Sequence, residues 1–300
     1  MDNEQGERPD LGLILSVQRY LTEKDRVHAI EWMSEAALGL DLTDLTFFTS
    51  VAFLDRLAAI RRGIRDDTFH KAALACLYVA AKMIETNYEE DLRAQDFINA
   101  SPHTMFMHAQ DLFKLESTVC DWLDYRLYTV TPVCFLDRFL HASHPSTHYS
   151  DAMQREERCK ASVWALENIG ISQPRGTLES LALYFLELAT HSAELAMQKP
   201  DMLAASAIYL AKATIGLHAE IDENAPPSGP PDSLFWDETL EHYTDYTAEE
   251  LEDVVRVMHE LHCDTNHSSE FTYVYEKFST ERYMQVSFVP PLLANELGFL

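Results

Sequence analysis

Residues Thr68–Met83 read Thr-Phe-His-Lys-Ala-Ala-Leu-Ala-Cys-Leu-Tyr-Val-Ala-Ala-Lys-Met, with ten consecutive apolar residues, Ala72–Ala81, held between Lys71 and Lys82. A helix that is apolar on every side belongs at the centre of a bundle, with other helices packed around it. The run is too short to cross a bilayer, which takes about 20 apolar residues. It therefore predicts an all-α protein built around a buried central helix.

Working outward, helical spacing recurs on both sides. Toward the N-terminus, Leu13, Ile14, Val17, Tyr20 and Leu21 form one stripe within Leu11–Leu21. Further helices are expected over Arg26–Leu38 and over Asp44–Ile60, the latter ending before Arg61-Arg62-Gly63. Downstream, Ser101-Pro102 reads as an N-cap followed by proline at the first helical position, opening a helix to Leu123. Thr131-Pro132 repeats that signal for a short helix through Leu140, and His141–Ser150 has the composition of a linker.

The second half is organised in the same way. Helices are expected over Asp151–Ile169, Thr177–Ala189 and Pro200–Ile215, followed by an acidic, proline-rich loop over Glu220–Ser233. Thr247-Ala-Glu-Glu250 is a capping box that opens a helix to Cys263, and a last short helix lies over Ser268–Phe278. The two apolar central helices both end in Ala-Lys, at Ala81-Lys82 and Ala211-Lys212. Phe53-Leu-Asp-Arg-Leu57 and Tyr184-Phe-Leu-Glu-Leu188 precede them; Leu115-Glu116 and Leu251-Glu252 follow. The shared order favours a duplicated helical unit over chance.

Composition narrows the function. The formal charge of −26 disfavours nucleic acid and anionic membrane as partners and favours basic protein surfaces. No Lys or Arg occurs between Lys212 and Arg256, while Glu220–Asp253 carries twelve acidic residues. Five scattered cysteines without a CxxC pair suit a reducing compartment, and no charged-then-apolar signal segment opens the chain. An intracellular, soluble protein is expected. Histidines cluster at His141, His144 and His148 and again at His259, His262 and His267 beside Cys263, without HExxH or paired-Cys spacing. Core or surface packing is the expected account of them, with no metal and no cofactor. No phosphate-cradling loop, GxSxG elbow or kinase catalytic loop is present, so no catalytic residue is assigned and no enzyme is expected.

Several of these stretches carry a family resemblance. Arg26-Val-His-Ala-Ile-Glu-Trp32-Met-Ser-Glu35 resembles the first core helix of the cyclin box, and Phe53-Leu-Asp-Arg56 its second-helix signature. Ala80-Ala-Lys82 with Glu85 is similar to the end of its third helix. Leu115-Glu116 through Leu123-Asp-Tyr125-Arg-Leu127, then Thr131-Pro132 and Phe135-Leu136, follow the fourth and fifth helices in register. The second half, from Leu178-Glu-Ser-Leu-Ala182 to Tyr275-Glu-Lys-Phe278 and Val286-Ser287, is similar to the C-terminal fold of the mitotic A- and B-type cyclins.

The resemblance implies two tandem five-helix cyclin folds preceded by a short N-terminal helix. Its boundaries would be an N-terminal segment over 1–24, a kinase-binding cyclin fold over 25–141, a linker over 142–150, a C-terminal fold over 151–290 and a tail over 291–300. It implies a non-catalytic regulatory subunit, in nucleus or cytoplasm, that activates a cyclin-dependent kinase in the cell division cycle. Basic protein substrates or inhibitors are further expected partners. A cyclin-fold transcription factor and a helical scaffold without a kinase are the alternatives.

The family's interface Lys and Glu fall at Lys82 and Glu116, and its apolar contact positions at Val79, Met83, Cys120, Tyr125 and Leu127. By position alone, Lys82 also suits the cap of a helix C-terminus, and Glu116 a solvated helix charge. A substrate-docking patch falls at Trp32, Glu35, Phe69 and His70, where Asp25, His28 and Ala29 replace the expected large apolar neighbours. Trp32 is equally suited to the core.

Overall fold

The computed structural model describes residues 21–61, 66–85, 93–100, 107–143, 174–219, 235–265 and 272–292. Among them there are helices and no strand. The expected helices over Leu11–Leu21 and Asp151–Ile169, and the loop over Glu220–Ser233, lie outside the described residues, apart from Leu21 itself.

The chain divides into two compact units. The first comprises Met1–Cys134 and Thr190–Gln198, the second Phe135–Ala189 and Lys199–Leu300.

In the first unit, α1 (Glu23–Gly39) opens on a capping box in which the Thr22 N–H and hydroxyl both donate to the Asp25 carboxylate. Helix α2 (Asp44–Ile60) is capped from two sides. Thr43 closes it locally, and the Glu85 carboxylate accepts from the Thr43 N–H, the Thr43 hydroxyl and the Thr46 hydroxyl at 2.5–2.9 Å. Helix α3 (Asp66–Ile84) is the apolar stretch quoted above, and every residue from Ala72 to Ala81 is buried. Helices α1, α2, α4 (Ala94–Asn99) and α5 (Ala109–Trp122) all pack on it. That is the surround an all-round apolar helix requires.

Inside this unit Arg26 grips Asp55 through two hydrogen bonds of 2.7 and 2.8 Å, with both side chains buried. Its third contact is a 2.6 Å hydrogen bond to the Thr190 carbonyl, which draws Thr190–Gln198 into the same unit. A buried guanidinium needs its charge and donors met in this way.

The second unit takes most of α6 (Val133–Ser143) and α7 (Pro174–His191), and the greater part of the later helices. Short α8 (Ala193–Ala196) belongs to the first unit, and α9 (Pro200–Ala219) begins the rest of the second. Helix α9 repeats the role of α3: Leu203–Ala211 are all buried, and α10 (Glu238–Thr244) and α11 (Ala248–Thr265) pack on it. The capping box at Thr247 is formed, with its N–H and hydroxyl donating to Glu250 at 2.8 and 3.0 Å. Helix α12 (Thr272–Phe278) and two single 3-10 turns complete the unit. Tyr184 on α7 sits against the rings of His262 and Phe278 at 5.6 and 5.3 Å.

Three expectations change. The helix ending near Leu123 starts at Ala109, not at Pro102, because the Asp111 carboxylate accepts the His108 N–H and sets the N-terminus there. Ser101 and Pro102 lie outside the described residues. Helix α6 runs to Ser143, beyond Leu140 and into the expected linker, since His141 bonds back to the Asp137 carbonyl and Ser143 to the Leu140 carbonyl. Leu292, expected in the irregular tail, is buried, and its carbonyl meets His259.

Candidate functional site

Lys82 stands in the last turn of α3, where a cation complements the exposed carbonyls. Packing of α5 across α3 brings Glu116 to it: Lys82 Nζ donates to Glu116 Oε1 at 2.5 Å across 34 residues. The side chains keep 39% and 22% of their surface in water. Lys82 Nζ also lies 5.4 Å above the Tyr78 ring, one turn earlier on α3. Burial works against the ammonium, but the Glu116 hydrogen bond and charge outweigh it, so the Lys82 pKa stands above the ordinary lysine value. The pair is charged at every physiological pH on the lysine side, and it is open to an outside molecule.

The surrounding positions divide by depth. Val79 is buried; Cys120 and Leu127 are half-buried. Met83 and Tyr125 are exposed, at 47% and 65%. Burial first, then the Glu116 charge, pushes the Cys120 thiol up, with Lys82 opposing in part, which favours the neutral thiol. Beyond α5 the chain turns through two left-handed residues, Asp124 (φ 54°) and Tyr125 (φ 53°). Such conformations are uncommon for residues other than glycine. Here the Tyr125 N–H closes on the Cys120 carbonyl at 2.9 Å, and Arg56 donates to the Arg126 carbonyl at 2.7 Å. The turn presents Tyr125 outward, where its hydroxyl donates a hydrogen bond to Asp121; that bond, with the Asp121 charge, holds the phenol above its usual range.

The structure thus joins Lys82 on α3 to Glu116 on α5, with Cys120 beside the pair. Val79 and Met83 flank Lys82 along α3, and Tyr125 and Leu127 follow on the turn after α5. The docking-patch set behaves differently. The Trp32 indole N–H donates to the Ala100 carbonyl at 3.1 Å, and Trp32, Phe69 and His70 are all buried; only Glu35 is exposed. Those three side chains lie mostly within the first unit. Asp25 is occupied as the α1 cap.

The second histidine cluster is structural where it is described. His259 Nε2 lies 2.9 Å from the Leu292 carbonyl and His262 Nε2 3.2 Å from the Val289 carbonyl, holding the segment after the 3-10 turns against α11. Among the described residues no group of His, Cys, Asp or Glu side chains gathers as metal ligands. No described helix is long and apolar enough to cross a membrane. The sequence reading did not single out Phe113, an exposed ring on the Glu116 face of α5; the i, i+3 spacing from Phe113 to Glu116 was the available signal.

Comparison with known proteins gives a consistent picture. Residues 2–128 match the family model described as cyclin, N-terminal domain, and residues 130–292 that described as cyclin, C-terminal domain. Cyclin-A1-1 of Arabidopsis thaliana is 28% identical over 298 residues, covering 98% of this chain and 55% of that protein. Cyclin-B2-2 of Oryza sativa subsp. indica is 28% identical over 268 residues, covering 89% of this chain and 51% of that protein. The chain therefore spans about half the length of these relatives. A viral cyclin from herpesvirus saimiri has a similar fold, with a TM-score of 0.58 at 17% identity, over 84% of this chain and 90% of the viral one.

Proposed function

The chain belongs to the cyclin family, and from that premise we propose that it is the regulatory subunit of a cyclin-dependent serine/threonine protein kinase, which it binds and activates through the face around Lys82 and Glu116. The observation that carries the reading is the convergence of those two side chains, distant in sequence, on one solvent-open spot. Kinase catalysis needs a Glu on the kinase's αC helix to pair with a strand Lys, and the placement of αC is the controlled step. A partner that binds only the productive placement shifts the population toward it by its differential affinity.

Lys82 offers N–H donors that Glu116 does not exhaust, and Glu116 offers a second carboxylate oxygen. Together they can hold a carbonyl and an N–H of a partner main chain at once. Val79, Cys120 and Leu127 form the apolar floor, with Met83 and Tyr125 at the edge. The chain itself contributes no catalytic group in this reading. It works as a soluble protein of nucleus or cytoplasm in the cell division cycle, and its −26 charge suits recruitment of basic protein substrates or inhibitors and not nucleic acid.

The test is reconstitution. The purified chain, added to a purified cyclin-dependent kinase catalytic subunit, is expected to raise phosphorylation of a basic protein substrate and to co-elute with the kinase. A scaffold or transcription-factor role predicts neither; failure with every cyclin-dependent kinase of the host would overturn the proposal.

A further inference from the structure

Phe113 keeps 48% of its surface in water, yet its ring is firmly backed. It lies 6.4 Å from the Tyr78 ring, which in turn meets the fully buried Phe97 edge-on at 5.1 Å. Three rings thus run from the core of the first unit to its surface. Tyr78 also underlies the Lys82 ammonium at 5.4 Å, so one ring supports both Phe113 and the Lys82–Glu116 pair. On α5, Phe113 precedes Glu116 by three positions and Cys120 by seven, the spacing of a single helix face.

A lone exposed apolar residue is ordinary on a protein surface. Phe113 is not alone: Met83 adjoins Lys82 in sequence and Tyr125 follows Cys120 past the turn, and all three are exposed. The ion pair therefore has exposed apolar groups on both sides, with Phe113 toward the N-terminus of α5 and Tyr125 beyond its C-terminus. The charged neighbours near the start of α5, Asp111 and Lys114, pair with each other at 3.4 Å, so their charges offset. A ring already held by Tyr78 loses little freedom when something covers it. An apolar group is the fitting occupant.

We infer that Phe113 is a further partner-contact residue, receiving an apolar side chain of the same kinase that Lys82 and Glu116 grip. It rests on the kinase-binding reading above and extends that surface toward the start of α5.

The test is an affinity measurement by calorimetry with the full chain and one purified cyclin-dependent kinase catalytic subunit that the wild-type chain binds. Phe113→Ser is expected to weaken binding by roughly tenfold, Phe113→Lys by more, and Phe113→Leu by little. Thermal melts run alongside are expected to stay close to wild type. Phe113→Lys keeps an aliphatic stem over Tyr78, so it reads out binding even if the serine variant folds poorly. Phe288→Ser, at an exposed ring of the second unit, is the control and is expected to bind normally. Equal affinity of wild type, Phe113→Ser and Phe113→Lys, while charge variants at Lys82 and Glu116 lose binding, overturns this inference alone. A Phe288→Ser variant as weak as Phe113→Ser also overturns it. A wild-type chain that binds no such kinase overturns the reading beneath it as well.

Discussion

Lys277 and Glu187, 90 residues apart, form an ion pair of 2.6 Å whose side chains are only 3% and 1% exposed. The Lys277 ammonium also faces the rings of Phe278 and Tyr283 at 5.3 and 5.4 Å. The pair joins α12 to α7 within the second unit.

Removing one member of this pair strands the other charge away from water. Glu187→Leu alone is expected to cost about 3–5 kcal/mol, whereas Glu187→Leu with Lys277→Met is expected to fall near wild type or above it. Urea unfolding of the two variants decides the matter. Equal losses in both would mean that packing, and not the unmet charge, dominates at this spot.

Tyr184 provides an alkaline signature. Burial pushes its phenol up to about 12, opposed in part by the Thr265 hydrogen bond. The folded state therefore holds this proton more tightly than the unfolded chain, in which the value is near 10. Its contribution is complete below pH 10 and is lost as pH climbs toward 12, by an amount on the order of 2–3 kcal/mol. Tyr184→Phe is expected to lose less stability than wild type between pH 9 and pH 11.5, as measured by urea midpoints.

Gly216 lies within α9, where alanine would ordinarily gain about 1 kcal/mol in helix propensity. A Cβ there would run into the ring of Phe235, which is buried and so poorly placed to give way. Overpacking of this kind costs about 1–3 kcal/mol, so Gly216→Ala is expected to lower stability on balance. A thermal melt at or above the wild-type midpoint would show that Phe235 moves freely.

How far the sequence could be read depended on the length and periodicity of each element. Asp44–Ile60 has the expected bounds, and the Ala72–Ala81 run lies wholly inside, because a helix with no polar face has only one place to go. The Thr247 capping box formed because its hydrogen bonds are local. Helices α4, α8 and α10, of six, four and seven residues, escaped notice since two turns or fewer carry no readable period. The Arg26–Asp55 bond was equally hidden: both residues stood in quoted motifs, but a pairing across 29 positions depends on how two helices face each other. The meeting of Lys82 and Glu116 came from family resemblance, since 34 intervening residues fix no geometry by themselves. The burial of Trp32, Phe69 and His70 was likewise not legible, since each stands on a helix whose facing partner the sequence does not name.

The central claim is that the Lys82–Glu116 pair serves an outside molecule and not merely the fold, and a charge swap separates the two roles. Lys82→Glu combined with Glu116→Lys retains an internal ion pair while reversing what the surface presents. Kinase stimulation by this double variant, measured on a basic protein substrate beside its thermal melt, is predicted to fall by about a hundredfold or more with the melting temperature close to wild type. Stimulation equal to that of the wild-type chain would contradict the account.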